Sequence, residues 1–69
     1  MYHNNKPITV LMSVFNNQDY VEDAILSILN QTFENFEFII IDDGSNDGSL
    51  KIIHSFKDNR IILLENCNN

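Results

Sequence analysis

Two apolar runs flank a segment of different period, and that alternation limits this chain more than any other feature. ITVLMSVF, Ile8 to Phe15, is nearly continuous in large residues and rich in β-branched ones, the pattern of a strand buried on both faces. From Tyr20 to Leu29 the spacing changes: Val21, Ala24, Ile25, Ile28 and Leu29 mark one face of a helix. Asp19 with Glu22 three residues later resembles a capping box for that helix. FEFIIID, Phe36 to Asp42, is a second buried strand. Asp47 is then placed to cap a second helix running to about Phe56, with Leu50, Ile53 and Phe56 on one face. RIILLE, Arg60 to Glu65, reads as a third strand. The order β-α-β-α-β implies an α/β fold, with a parallel sheet, right-handed crossovers and helices on its faces.

Size and charge narrow the options. A chain of 69 residues is at most one domain, and it buries only about 60% of its unfolded surface. A single cysteine, Cys67, allows no internal disulfide, and no His or Cys cluster points to structural zinc. Four basic against ten acidic residues, net −6, argue against nucleic acid and against an anionic membrane surface. Residues 1–7 form a polar leader without the apolar stretch of a signal peptide, and no run approaches the ~18 apolar residues of a membrane span. The expected location is cytoplasmic.

In an open parallel sheet, ligands bind beyond the carboxyl ends of the strands. Two polar loops belong there, SVFNNQD and DDGSND, and the second starts with paired carboxylates, Asp42 and Asp43. An acidic turn of no further purpose is one reading, since Asp, Gly, Ser and Asn serve any strand-to-helix connection. A calcium loop starting at Asp43 fails at its twelfth position, where His54 stands in place of a bidentate Glu. Neither a P-loop nor a dinucleotide fingerprint follows the first strand, and Asp42-Asp43-Gly44 is not the D-x-D of an aspartyl-phosphate enzyme. A further reading makes one carboxylate an acceptor for the imide N–H of uracil or thymine. An acceptor-only group selects that edge and rejects the N3 acceptor of cytosine. Phe15 is placed to stack on such a base.

Three ordered motifs then carry a resemblance. Ser13-Val14-Phe15-Asn16 ends the first strand, Ile28-Leu29-Asn30-Gln31-Thr32 ends the first helix, and Asp42 through Ser49 follows the second strand as DDGSNDGS. Together they resemble the start of a family 2 glycosyltransferase of the GT-A fold, covering Ile8 to about Glu65. The resemblance implies a Rossmann-like half domain, truncated to the first three strands and two helices over residues 8–69. It also implies a UDP- or dTDP-sugar donor, transfer with inversion, and a glycan or lipid-linked acceptor in bacterial surface polysaccharide synthesis. Ser13 and Phe15 match positions at the base pocket, Asn16 beside them is a further donor-binding candidate, Asp43 matches the carboxylate that binds the imide, and Asp42 is its neighbour. Ser13 stands where Pro or Thr is frequent, and Phe15 replaces Tyr, which removes a phenol hydrogen bond. The family's D-x-D, which holds Mg²⁺ or Mn²⁺, and its catalytic base are expected further along a full-length parent, at the cytoplasmic face of the membrane. No catalytic or metal-binding residue is expected here, and the piece alone is expected not to turn over.

Other candidates have plain readings. His3 and His54 are isolated, Cys67 has no activating neighbour, Phe33, Phe36 and Phe38 fit packing, and nothing in its spacing ties Lys6 to a phosphate. A competing reading from another class is a non-catalytic α/β module that self-associates, because missing layers leave strand edges and apolar faces bare.

Overall fold

A computed structural model describes residues 8–31 and 35–66. Readings placed on the 1–7 leader with His3 and Lys6, on Thr32 and Phe33, and on Cys67 lie outside the described residues. The element order is β1 (Ile8–Val14), α1 (Val21–Leu29), β2 (Phe36–Asp42), α2 (Ser49–Ser55) and β3 (Ile61–Glu65). The three strands form one parallel sheet in the order β1-β2-β3. The expected β-α-β-α-β half domain is thus the observed fold.

The core has one side. Val14, Phe36, Phe38 and Ile40 of the sheet meet Val21 and Ile25 of α1 and Ile53 of α2, all buried. Each such side chain contributes on the order of 1.5–3 kcal/mol by leaving water. Among the described residues the opposite face carries no helix: Leu11 is 64%, Leu64 50% and Ile62 42% exposed. The expectation of strands buried on both faces, with helices on both, is corrected here for the described residues. Two successive crossovers that step in the same direction along β1-β2-β3 and share one hand must deposit both helices on the same face. The run of large residues in β1 therefore fills a core on one side only.

Helix starts also differ from expectation. Tyr20, not Asp19, is the residue before α1, and it makes no side-chain cap; the Asn17 carbonyl accepts from the N–H groups of Tyr20 and Val21 instead, at 2.9 and 2.8 Å. The residue before α2 is Gly48, not Asp47, and it has no side-chain cap; Asp47, one residue further out, accepts from Ser49 N–H through Oδ1 at 2.9 Å.

At the amino end of β3, Arg60 is clamped. Its Nε and backbone N–H donate to Asp58 Oδ1, each at 2.9 Å, and Nη2 donates to Oδ2 at 2.8 Å. The guanidinium lies 4.6 Å above the centre of the Phe36 ring. These hydrogen bonds from Arg60 hold the Asp58 carboxyl at about 2, below its ordinary 3.8. A carboxyl depressed in the folded state adds stability that is complete above the unfolded value and lost as pH falls through the folded one. We expect the melting temperature to fall between about pH 4 and pH 2, and Asp58→Asn to flatten that part of the profile in thermal melts.

Candidate functional site

The loops that leave β1 and β2 lie side by side at the carboxyl edge of the sheet. The register ends with Val14 opposite Asp42, and Asp43 N–H donates to the Val14 carbonyl at 2.8 Å. Phe15 and Asp43 are therefore the next residues on neighbouring strands. Beyond them the loops are laced by hydrogen bonds. Asn16 N–H donates to Ser45 Oγ (2.9 Å), Asn17 N–H to Ser49 Oγ (2.9 Å) and Gln18 N–H to Asp47 Oδ2 (3.2 Å). In return, Asn46 N–H donates to Asn16 Oδ1 (2.7 Å) and Gly48 N–H to Gln18 Oε1 (2.6 Å). A Cβ at Gly48 would lie 2.8 Å from Gln18 Oε1, so a larger residue there would displace the end of the Gln18 side chain and its hydrogen bond. Asn16 sits in the left-handed region at φ 51°, which Asn tolerates better than most residues.

Asp47 ties both loops. Partial desolvation pushes its carboxyl up, but hydrogen bonds from the Ser49 hydroxyl and from the Ser49 and Gln18 N–H groups outweigh this, and the net shift is downward.

The paired aspartates divide their roles. Asp42 is 1% exposed, and both oxygens are committed to Ser45: Oδ2 accepts from its N–H at 3.0 Å and Oδ1 from its hydroxyl at 2.6 Å. It builds the turn through these two bonds. Asp43 is exposed at the strand tip, with Oδ1 accepting from Asn66 Nδ2 at 2.9 Å. Strand alternation puts Asp42 with Phe38 and Ile40 on the helix-covered side, and Asp43 on the other side with Ile41. Ser13 lies on that same open side of β1, and Phe15 beyond it is 55% exposed. Ser13, Phe15 and Asp43 thus share one edge, while Asn16 beside them accepts from Asn46 N–H through Oδ1.

Sequence reasoning missed the roles of Asn17, Gln18, Ser45, Ser49 and Asn66. The lacing residues look like ordinary turn chemistry. Asn66 becomes relevant only once β3 is known to lie beside β2, where its N–H donates to the Asp42 carbonyl at 2.8 Å. A cleft of about 90 Å³ between β1 and α1, lined by Ser13, Asn17 and Tyr20 among others, is too small for a nucleotide. A wider recess of about 530 Å³ lies among Leu29, Asn30, Gln31, Asn59 and Arg60, at the far end of the strands. Among the described residues no three of His, Cys, Asp or Glu gather as metal ligands. With Asp42 bound to Ser45, these residues do not fit the magnesium or manganese that the resemblance implies for a whole enzyme.

A three-stranded parallel sheet with alternating helices and a laced, carboxylate-tipped edge defines a Rossmann-like half domain. The glycosyl transferase family 2 model matches residues 9–69, and the chain belongs to that family. It is 47% identical, over 81% of its length, to an uncharacterized glycosyltransferase of Haemophilus influenzae, and covers 23% of that protein. It is 37% identical, over 86% of its length, to the Escherichia coli UDP-Glc:alpha-D-GlcNAc-diphosphoundecaprenol beta-1,3-glucosyltransferase WfaP, covering 24% of it. Against a Staphylococcus aureus poly-beta-1,6-N-acetyl-D-glucosamine synthase the identity is 38% over 75% of this chain and 13% of the synthase. The chain thus spans less than a quarter of the length of these relatives. Among the described residues no helix is long and apolar enough to cross a membrane.

Proposed function

We propose that this chain is the donor-recognising part of an inverting glycosyltransferase that uses a UDP- or dTDP-linked sugar. The observation that carries this reading is the exposed Asp43 carboxylate beside the exposed Phe15 ring, at the carboxyl end of a parallel sheet. Asp43 accepts the imide N–H of uracil or thymine, Phe15 covers the face of the base, and Ser13 offers a hydroxyl at the same edge. Any base can stack on a phenyl ring, so selectivity rests on the carboxylate. The name of the E. coli relative, a glucosyltransferase acting from UDP-Glc, supports a uridine donor. The names of that protein and of the staphylococcal synthase support an acceptor that is a glycan or its lipid-linked precursor. The catalytic base and the metal-holding D-x-D belong to other parts of such an enzyme, so this chain binds without turning over.

Calorimetric titration with UDP, dTDP and CDP tests the reading. UDP and dTDP should bind at least about tenfold more tightly than CDP, the ratio of one charge-assisted hydrogen bond. Equal affinity for all three would refute recognition of the imide.

A second reading, self-association, is favoured by the bare face of Leu11, Ile62 and Leu64. Strands of seven, seven and five residues, about 4.8 Å apart, span only ~300 Å². That is far below the ~800 Å² per partner of a stable dimer, so nucleotide recognition stands first.

A further inference from the structure

We propose that Asn66 is a positioning residue for Asp43 and sets how sharply the site tells uracil from cytosine. The proposal rests on the reading of Asp43 as the imide acceptor. Asn66 follows the last residue of β3, and its own N–H donates to the Asp42 carbonyl at 2.8 Å, which anchors its backbone to β2. From that anchor Nδ2 reaches Asp43 Oδ1 at 2.9 Å. Among the described residues no hydrogen bond engages Asp43 Oδ2.

An exposed carboxylate turns about a broad terminal torsion and spends only part of its time with an oxygen aimed at a given donor. A donor held by the neighbouring strand removes that freedom, occupies one oxygen and leaves the other aimed outward. The cost of ordering the group is then met in folding, before any ligand arrives. Discrimination gains twice. The imide N–H meets an acceptor already in place, and cytosine N3 meets a lone pair that cannot swing away. The Asn-rich tail Asn66-Cys67-Asn68-Asn69 thus begins with a residue whose amide has a task.

The test compares wild type, Asn66→Ala and Asn66→Asp in calorimetric titrations with UDP and with CDP, alongside thermal melts. Asn66→Ala should weaken UDP binding about three- to ten-fold, leave CDP binding unchanged or slightly tighter, and leave the melting temperature within a few degrees. Asn66→Asp keeps the shape, removes the donor and adds a repelling charge; its UDP/CDP ratio should fall further. The ratio separates positioning from a general electrostatic effect on the diphosphate, because both nucleotides carry the same diphosphate. An unchanged UDP/CDP ratio in both variants overturns the proposal while leaving Asp43 as the acceptor. Failure of the wild type itself to prefer UDP removes the underlying reading instead. Should Asn66→Ala lose its fold, the isosteric Asn66→Asp decides alone.

Discussion

Asp42→Ala is expected to destabilise the chain by about 2–4 kcal/mol, enough to leave much of it unfolded at room temperature. The carboxylate is buried and accepts from both the N–H and the hydroxyl of Ser45. Alanine leaves two donors without a partner and a void below the loop, and each unmet buried group costs about 1–3 kcal/mol. The Ser45 hydroxyl also accepts from Asn16 N–H, so its loss loosens the β1 loop too. A single-core chain below ~70 residues rarely has more than about 3–5 kcal/mol to lose. In thermal melts the midpoint should drop by at least ~10 °C. Asp42→Asn, which keeps one acceptor, should fall between. Asp43→Ala, at an exposed position, should stay within about 0.5 kcal/mol of the parent. Equal losses at the two positions would contradict the division of roles.

The other large effect is on binding. Asp43→Asn is expected to weaken UDP about 10- to 100-fold, the worth of a charged acceptor at roughly 1.5–3 kcal/mol. The same change should not weaken CDP, since an amide can turn its NH₂ toward cytosine N3. Preference for UDP should therefore collapse in calorimetric titrations while the melting temperature holds. Retained preference would mean that another group reads the base.

These two residues also mark what the sequence made legible. β2 is readable to its last residue because FEFIII ends abruptly at two carboxylates. Which aspartate faces the core was not readable, because a continuous apolar run hides the alternation that sets it. With Phe36, Phe38 and Ile40 known to be buried, Asp42 follows by parity and Asp43 falls on the open side. The one-sided placement of the helices escaped for a related reason. Periodicity identifies α1 and α2 but does not encode strand order, and the order β1-β2-β3 puts both on one face. The start of α1 was misread because Asp19 has the right spacing, whereas the Asn17 carbonyl, which any residue could supply, closes the turn. Asn66 is the extreme case, since it matters only through the strand beside it.

The most direct test of the central claim follows backbone amide shifts as UDP is added to the ¹⁵N-labelled chain. The largest changes should fall on Ser13, Phe15 and Asp43 at the carboxyl edge of the sheet, with CDP producing far smaller ones. Shifts gathered instead on Asn30, Gln31 and Arg60, at the recess on the opposite end, would contradict that claim.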